Sequence, residues 1–239
     1  MRYWWRAADE PQAVRTARKV IGSRPRDAGA SLSNALSRAG RRWDVYWLVE
    51  NPLVFHYYHR QALRDASAAA RALQAVFPFC RRYLDVGAGT GAFAAGLQRR
   101  GMHVTACERG LVGRLYAKQQ GVDVRPLDLT REPVAVVDGP FDLAYSFEVA
   151  QQLPEPLGYR LVEFLSRQAP LVVFSSAQPG QGGTEPINLR PKSYWIERFG
   201  RTSMTYSERS SHALAERFSA EGVVGHWLID NIIVLERRS

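Results

Sequence analysis

The stretch Leu84-Asp85-Val86-Gly87-Ala88-Gly89-Thr90-Gly91 constrains this chain more than any other. It lies between a β-rich run and a helical pattern, so its glycines fall where a strand hands over to a helix. Gly87 and Gly89 remove the Cβ atoms that would hold a ligand off the backbone, and the following helix offers free N–H groups in its first turn. The spacing alone leaves two readings, because Gly87, Gly89 and Ala92 also satisfy a dinucleotide pattern. Asp85 separates them. A carboxylate two residues before the first glycine repels a pyrophosphate and attracts an ammonium group.

From residue 82 onward, β-rich runs alternate with helical patterns, the signature of a parallel sheet covered on both faces. The pattern predicts strands over Tyr83–Val86, His103–Glu108, Val122–Asp128, Phe141–Phe147 and Leu171–Ser175. It predicts helices over Ala92–Arg100 and Leu111–Gln120, ending at Gly101 and Gly121, where a left-handed cap is usual. Two further strands, Val223–Ile229 and Ile232–Glu236, meet across Asp230-Asn231 and are expected to form an antiparallel hairpin. A Gly/Pro-rich stretch within residues 178–191 follows a strand end, the edge at which open α/β sheets bind ligands. Glu108 ends the second strand 19 residues after Gly89, close to the spacing at which an acid receives two ribose hydroxyls. Asp128 and Leu129, after the third strand, are placed to accept an adenine amino group and cover its ring. An ammonium, a ribose and an adenine together describe S-adenosylmethionine better than a dinucleotide.

These residues resemble the class I S-adenosylmethionine-dependent methyltransferases, and more narrowly a bacterial small-molecule group. The likeness spans roughly residues 50–238. It rests on the glycine motif, Glu108, Asp128, the run Phe141–Val149 and the tail Trp227–Val234. The resemblance implies an α/β, Rossmann-like sheet of seven mostly parallel strands in the order 3-2-1-4-5-7-6, with helices on both faces. It places S-adenosylmethionine, and S-adenosylhomocysteine as product, on Asp85, Gly87, Ala88, Gly89, Gly91, Glu108, Arg109, Asp128, Leu129 and Phe147. The chain departs from the pattern at Gln152, where many relatives carry a His in Glu-His-Leu-Pro, and at Pro186, where a Gly-His-x-Asn is common.

With those histidines missing, a base must come from elsewhere. The candidates are His56 and His59, one helical turn apart, and Glu148 at the end of the fourth strand. Tyr57, Tyr58, Gln152 and Tyr194 are expected to face the acceptor. His56 and His59 lack a third ligand nearby, so no metal is expected, and His103, His212 and His226 read as structural.

The first 80 residues read as a helical cap over a methyltransferase domain at 81–239, with helices at Pro11–Gly22, Ser31–Gly40 and Gln61–Val76 and a loop at Ser23–Gly29. The net charge of +9 lies wholly in residues 1–84, which carry 15 Lys+Arg against 6 Asp+Glu and four of the six Trp. Such a segment suits an anionic small molecule or RNA, and a solvated basic face equally well. No separate RNA-binding motif accompanies it, so nucleic acid is not the expected partner. No run approaches the ~18 apolar residues of a membrane span, the start has no apolar leader core, and two cysteines give no disulfide framework. A cytoplasmic location follows as the expectation, with a homodimer left open. The expected activity is methyl transfer to a small molecule, at a hydroxyl of a glycosylated or secondary metabolite. Methylation of a small-molecule amine, methylation of RNA, and non-catalytic binding of S-adenosylmethionine stay as alternatives.

Overall fold

The computed structural model describes residues 35–36, 52–131, 137–181 and 187–238. Pro11–Gly22 and Ser23–Gly29 lie outside them, and within Ser31–Gly40 only Ala35 and Leu36 are described, both helical. Seven strands form one sheet: β1 (Arg82–Val86), β2 (His103–Cys107), β3 (Val124–Arg125), β4 (Leu143–Phe147), β5 (Leu171–Ser175), β6 (Met204–Tyr206) and β7 (Ile233–Arg237). Their order is β3-β2-β1-β4-β5-β7-β6, as the resemblance implies. The first five run parallel, and β7 runs antiparallel to both β5 and β6. Strands buried on both faces carry little alternation: Leu143, Ala144, Tyr145 and Ser146 of β4 are all fully buried.

Helices α1 (Pro52–Val76), α2 (Ala92–Gln98), α3 (Leu111–Gln119), α4 (Glu155–Gln168), α5 (Lys192–Gly200), α6 (Glu208–Glu221) and α7 (His226–Asn231) complete the described elements, with a 3-10 turn at Ala150–Gln152. The Ala-rich half of α1 shares one apolar cluster with β1, β4 and α6, through Ala69, Leu73, Tyr83, Tyr145, Leu214 and Phe218. Small residues let α1 approach α2 closely: a Cβ added at Gly96 would stand 2.6 Å from the Ala66 carbonyl oxygen. Arg71 also ties α1 to the end of α6, donating from Nε to the Glu221 carboxylate at 2.5 Å and from a terminal nitrogen to its carbonyl at 2.9 Å.

Two strand expectations need correction. The third strand spans only Val124–Arg125, not Val122–Asp128. The expected hairpin does not form: within Val223–Ile229, His226 starts helix α7, and the strand beside β7 is β6, which precedes α6. Tertiary bonds select the helix. Val224 and Gly225 donate backbone N–H groups to the buried Asp65 carboxylate at 2.9 and 3.0 Å, which turns the chain just before α7. Asp230-Asn231 is no reversal either, because Asn231 is buried at the end of α7 and its carboxamide belongs to the interior.

Candidate functional site

Strand order reverses between β1 and β4, the switch point at which open α/β sheets hold ligands beyond their carboxyl ends. A cavity of about 870 Å³ opens there, lined by residues between Phe55 and Trp227. Its floor is the glycine loop. Gly87 has φ 78° and Gly89 φ 53°, a region that side-chain-bearing residues rarely adopt. A Cβ at Gly87 would meet Val149 at 2.4 Å, whereas at Gly89 it would meet nothing within 4 Å and would fill ligand space. Gly91, also at positive φ, packs against Ala117 and stays out of the cavity wall.

The carboxylates follow in strand order. Asp85, the penultimate residue of β1, is 4% exposed and accepts the Tyr145 hydroxyl at 2.9 Å. Burial pushes its pKa up to about 8, the Tyr145 hydroxyl works against that, and Glu108 adds to it. Glu108 follows β2 and accepts the N–H groups of Gly89 at 2.8 Å and Gly110 at 2.7 Å. Burial raises its pKa against those donors. Asp128 follows β3 and accepts the Thr130 N–H at 2.9 Å and hydroxyl at 2.7 Å, with Arg109 at 3.6 Å. Although partial burial acts the other way, these donors and Arg109 hold its carboxyl below the usual range. Ala88, Leu129 and Phe147 line the same cavity.

At the far end, Glu148 holds φ 58°, unusual for a residue with a side chain. One carboxylate oxygen accepts Gln151 at 3.0 Å and the other Asn231 at 3.2 Å. Asn231 in turn accepts Gln178 and Gln181, both at 3.0 Å, so β4, α7 and the loop after β5 meet in one polar network. Burial brings the Glu148 pKa up to about 7, against the Asn231, Ser175 and Gln151 hydrogen bonds. A half-ionised carboxyl that lines a ligand cavity is equipped to take a proton near neutral pH.

The other acceptor-side expectations divide. Tyr58 and Gln152 line the cavity; His56, His59 and Tyr194 do not, and the Tyr57 side chain lies outside the described residues. His59 is 2% exposed with its ring 5.0 Å from Tyr116, and burial, helped by His56, lowers its pKa to about 4. A base so weak is ill matched to proton abstraction at neutral pH. Tyr194 instead donates to Glu155 at 2.5 Å, beside Tyr159 and outside the cavity. Sequence reasoning missed Gln61, Arg64, Trp227 and His226, all of which line the cavity. The helical spacing of Phe55, Tyr58 and Ala62 signalled a shared face of α1, but nothing local showed that this face looks into the site.

Residues 84–161 match the family described as "Methyltransferase domain", and they span the glycine loop through the first half of α4. The chain carries a methyltransferase domain. Among curated relatives, a ubiquinone biosynthesis O-methyltransferase from Aeromonas salmonicida is 31% identical over 128 residues, 51% of this chain and 50% of the relative. One from Ruegeria pomeroyi is 30% identical over 169 residues, 68% of this chain and 63% of the relative. The chain thus matches between half and two thirds of these relatives' lengths. Among solved structures, an S-adenosylmethionine-bound amino pentose methyltransferase from Micromonospora echinaspora superposes with a TM-score of 0.58 at 16% identity, covering 77% of this chain and 97% of that one. Its likeness extends the class I methyltransferase fold well beyond residues 84–161. Among the described residues, no helix is long and apolar enough to cross a membrane, and no three His, Cys, Asp and Glu residues are grouped to hold a metal.

Proposed function

We propose that the chain transfers the methyl group of S-adenosylmethionine to a hydroxyl of a small molecule, with a glycosylated or secondary metabolite as the acceptor. The observation that carries the cofactor reading is the register of Asp85, Glu108 and Asp128 along three adjacent strand ends above a glycine loop with room for a ligand. The fit is chemical: Asp85 suits an ammonium, Glu108 a ribose diol and Asp128 an adenine amino group. The relatives' name supports an oxygen acceptor. The cavity's volume lies high in the ~300–1,000 Å³ range of ligand sites, which leaves room for an acceptor beside the cofactor. Gln61 and Gln152 line it and make no side-chain hydrogen bond among the described residues. Uncharged amides that both donate and accept suit a hydroxylated acceptor.

Bound S-adenosylmethionine supplies an electrophilic methyl whose leaving group departs as a neutral thioether. The residues of the chain hold the acceptor oxygen in line with that methyl. Glu148 takes the hydroxyl proton onto a carboxylate oxygen as the oxygen–carbon bond forms and the carbon–sulfur pair returns to sulfur. Its network through Gln151 and Asn231 keeps the carboxyl from turning away.

Calorimetry with S-adenosylhomocysteine and NAD tests the cofactor, and binding of NAD alone would refute it. Mass spectrometry for the gain of one methyl, over a panel of alkyl glycosides, catechols and their amino counterparts, tests the acceptor. On the member that is methylated, Glu148→Gln is expected to lower turnover about 10²–10⁴-fold with cofactor affinity retained. The parent's rate should rise through about pH 7 as Glu148 ionises. Turnover within a few-fold of the parent, on an amine, would replace the oxygen acceptor with nitrogen.

A further inference from the structure

The edge of the sheet opposite the cavity, at the amino ends of β1, β2 and β4, carries features that methyl transfer does not use. Phe77-Pro78-Phe79-Cys80 turns the chain from α1 into β1, with the Cys80 N–H donating to the Phe77 carbonyl at 3.1 Å. Phe77 and Cys80 are buried, while Phe79 between them is 93% exposed. Tight reversals are ordinarily made of Gly, Asn, Asp, Ser or Pro. Here the exposed tip is Pro78-Phe79, so a large aromatic side chain stands in water at a position where a polar one would serve the turn as well.

Four exposed arginines share that edge. Arg81 and Arg82 lead into β1; Arg82 pairs with His103 of β2, and the Arg81 carbonyl accepts the His103 N–H at 2.9 Å. Arg99 and Arg100 follow α2 just before β2, and Arg100 donates to Gln74 in the last turn of α1, next to the Phe79 turn. Asp142, the acid beside them, accepts the backbone N–H groups of Arg81 and Arg82 at 2.6 and 2.8 Å rather than a guanidinium. Arg81, Arg82 and Arg100 form no ion pair among the described residues. The edge therefore presents an apolar tip beside positive charge that the chain does not neutralise.

We infer that this edge docks on an anionic phospholipid surface, with Phe79 entering the headgroup region and Arg81, Arg82, Arg99 and Arg100 facing the lipid phosphates. Charge decides the occupant. A second copy of the chain would bring like charges together across a two-fold interface. Single-stranded nucleic acid is held in basic grooves by several aromatic platforms, and this edge offers one aromatic on a protruding turn. An apolar residue flanked by basic ones is the combination that lies in a lipid interface, and it needs no spanning helix. The cavity opens at the carboxyl ends of the same strands, the five residues of β1 or about 15 Å away. Docking thus leaves the cavity open on the side away from the lipid, and the inference does not depend on which cofactor or acceptor enters it.

The test is co-sedimentation of the full chain with vesicles of phosphatidylcholine alone and of phosphatidylcholine with about 30% phosphatidylglycerol, a surface charge on the scale of a cytoplasmic leaflet. The parent should bind the anionic vesicles, more weakly as salt rises, and leave the neutral ones in solution. Arg81→Gln/Arg82→Gln should weaken that binding about 10- to 30-fold, and Phe79→Ser about 10-fold with no change of charge. Phe79→Trp should retain it, since Trp suits the same interface. Arg190→Gln/Arg209→Gln removes two charges near the carboxyl ends of the strands and should leave binding within about threefold of the parent, because those side chains face away from the lipid. Thermal unfolding of each variant confirms a folded chain. Failure of the parent to sediment with anionic vesicles would overturn the inference. Equal losses from the two arginine pairs, or no loss from Phe79→Ser, would overturn it as well, because the attraction would then belong to the net charge and not to this edge. Binding of a fluorescent single-stranded RNA more tightly than of vesicles, lost on Phe79→Ser, would assign the surface to nucleic acid instead.

Discussion

Burial raises the pKa of both Asp85 and Glu148, so that near neutral pH the first is largely protonated and the second about half ionised, and this has consequences for stability and binding. The folded-state pKa of Asp85, about 8, lies above its ordinary 3.8, so the folded chain keeps a proton that the unfolded chain has lost. Stability from this group is therefore greatest at low pH and declines as pH rises from about 4 to about 8. His59, lowered to about 4, has the opposite slope between about 4 and its ordinary value of 6.5, so the window above pH 6.5 isolates the carboxyls. Asp85→Asn keeps an acceptor for the Tyr145 hydroxyl and removes the titration. We expect the melting temperature of the ligand-free variant to gain on the parent between pH 6.5 and 8, with Glu148 cancelling because both proteins contain it. A constant gap would refute a protonated Asp85. An ammonium arriving at Asp85 favours the ionised form, so binding of S-adenosylhomocysteine at pH 7 should also release a proton, visible as a binding enthalpy that changes with the ionisation enthalpy of the buffer.

Among the elements, the junction of α1 and α2 shows two effects of opposite sign. Alanine is favoured over glycine in a helix interior by about 1 kcal/mol, so propensity alone predicts that Gly96→Ala stabilises α2. The added Cβ, however, would lie 2.6 Å from the Ala66 carbonyl oxygen, a backbone atom that moves only with α1, and overpacking of this kind typically costs about 1–3 kcal/mol. The clash should win, with a net cost of up to about 2 kcal/mol and a fall in melting temperature of up to about 8 °C. An unchanged or raised value would mean that α1 yields easily. The same elements show how far the sequence could be read. The glycine loop, β1, β2, β4, β5 and the capped helices α2 and α3 are set by local spacing, and their expected positions hold to within two residues. Other features depend on partners far along the chain. Helix α7 is selected by Asp65, 160 residues before Gly225, and by Asn231, which bonds Glu148 across 83 residues; read locally, the apolar run from Trp227 to Ile229 favours a strand. Strand β6 has three residues, too few for a period to register. Glu148 and the strand-end acids were legible because they follow strands; Arg64 and His226 face the cavity only because α1 and α7 pack where they do.

For the whole molecule, the question is what the basic first third does. Residues 1–40 hold 8 Lys+Arg and 3 Asp+Glu, while every described residue that lines the cavity lies between Phe55 and Trp227. The apolar cluster that joins α1 to the sheet begins at Ala68. A chain starting at Arg41 thus keeps the glycine loop, the three strand-end carboxylates, Arg64 and the Glu148 network, and we expect it to bind S-adenosylhomocysteine within a few-fold of the full chain. If the positive charge of residues 1–40 serves the acceptor, affinity for non-specific RNA should be weak in both chains and differ little between them. An RNA-binding segment behaves otherwise: each phosphate it neutralises releases counterions, so that log affinity falls linearly with log salt, with a slope of about −0.7 per contact on a single strand. Titrating a fluorescent single-stranded RNA at about 50 and 200 mM salt separates the two cases, since even six such contacts would lose more than a hundredfold over that range. Tight, steeply salt-dependent binding by the full chain, lost on truncation while S-adenosylhomocysteine binding persists, would transfer the acceptor from a small molecule to RNA without disturbing the cofactor site.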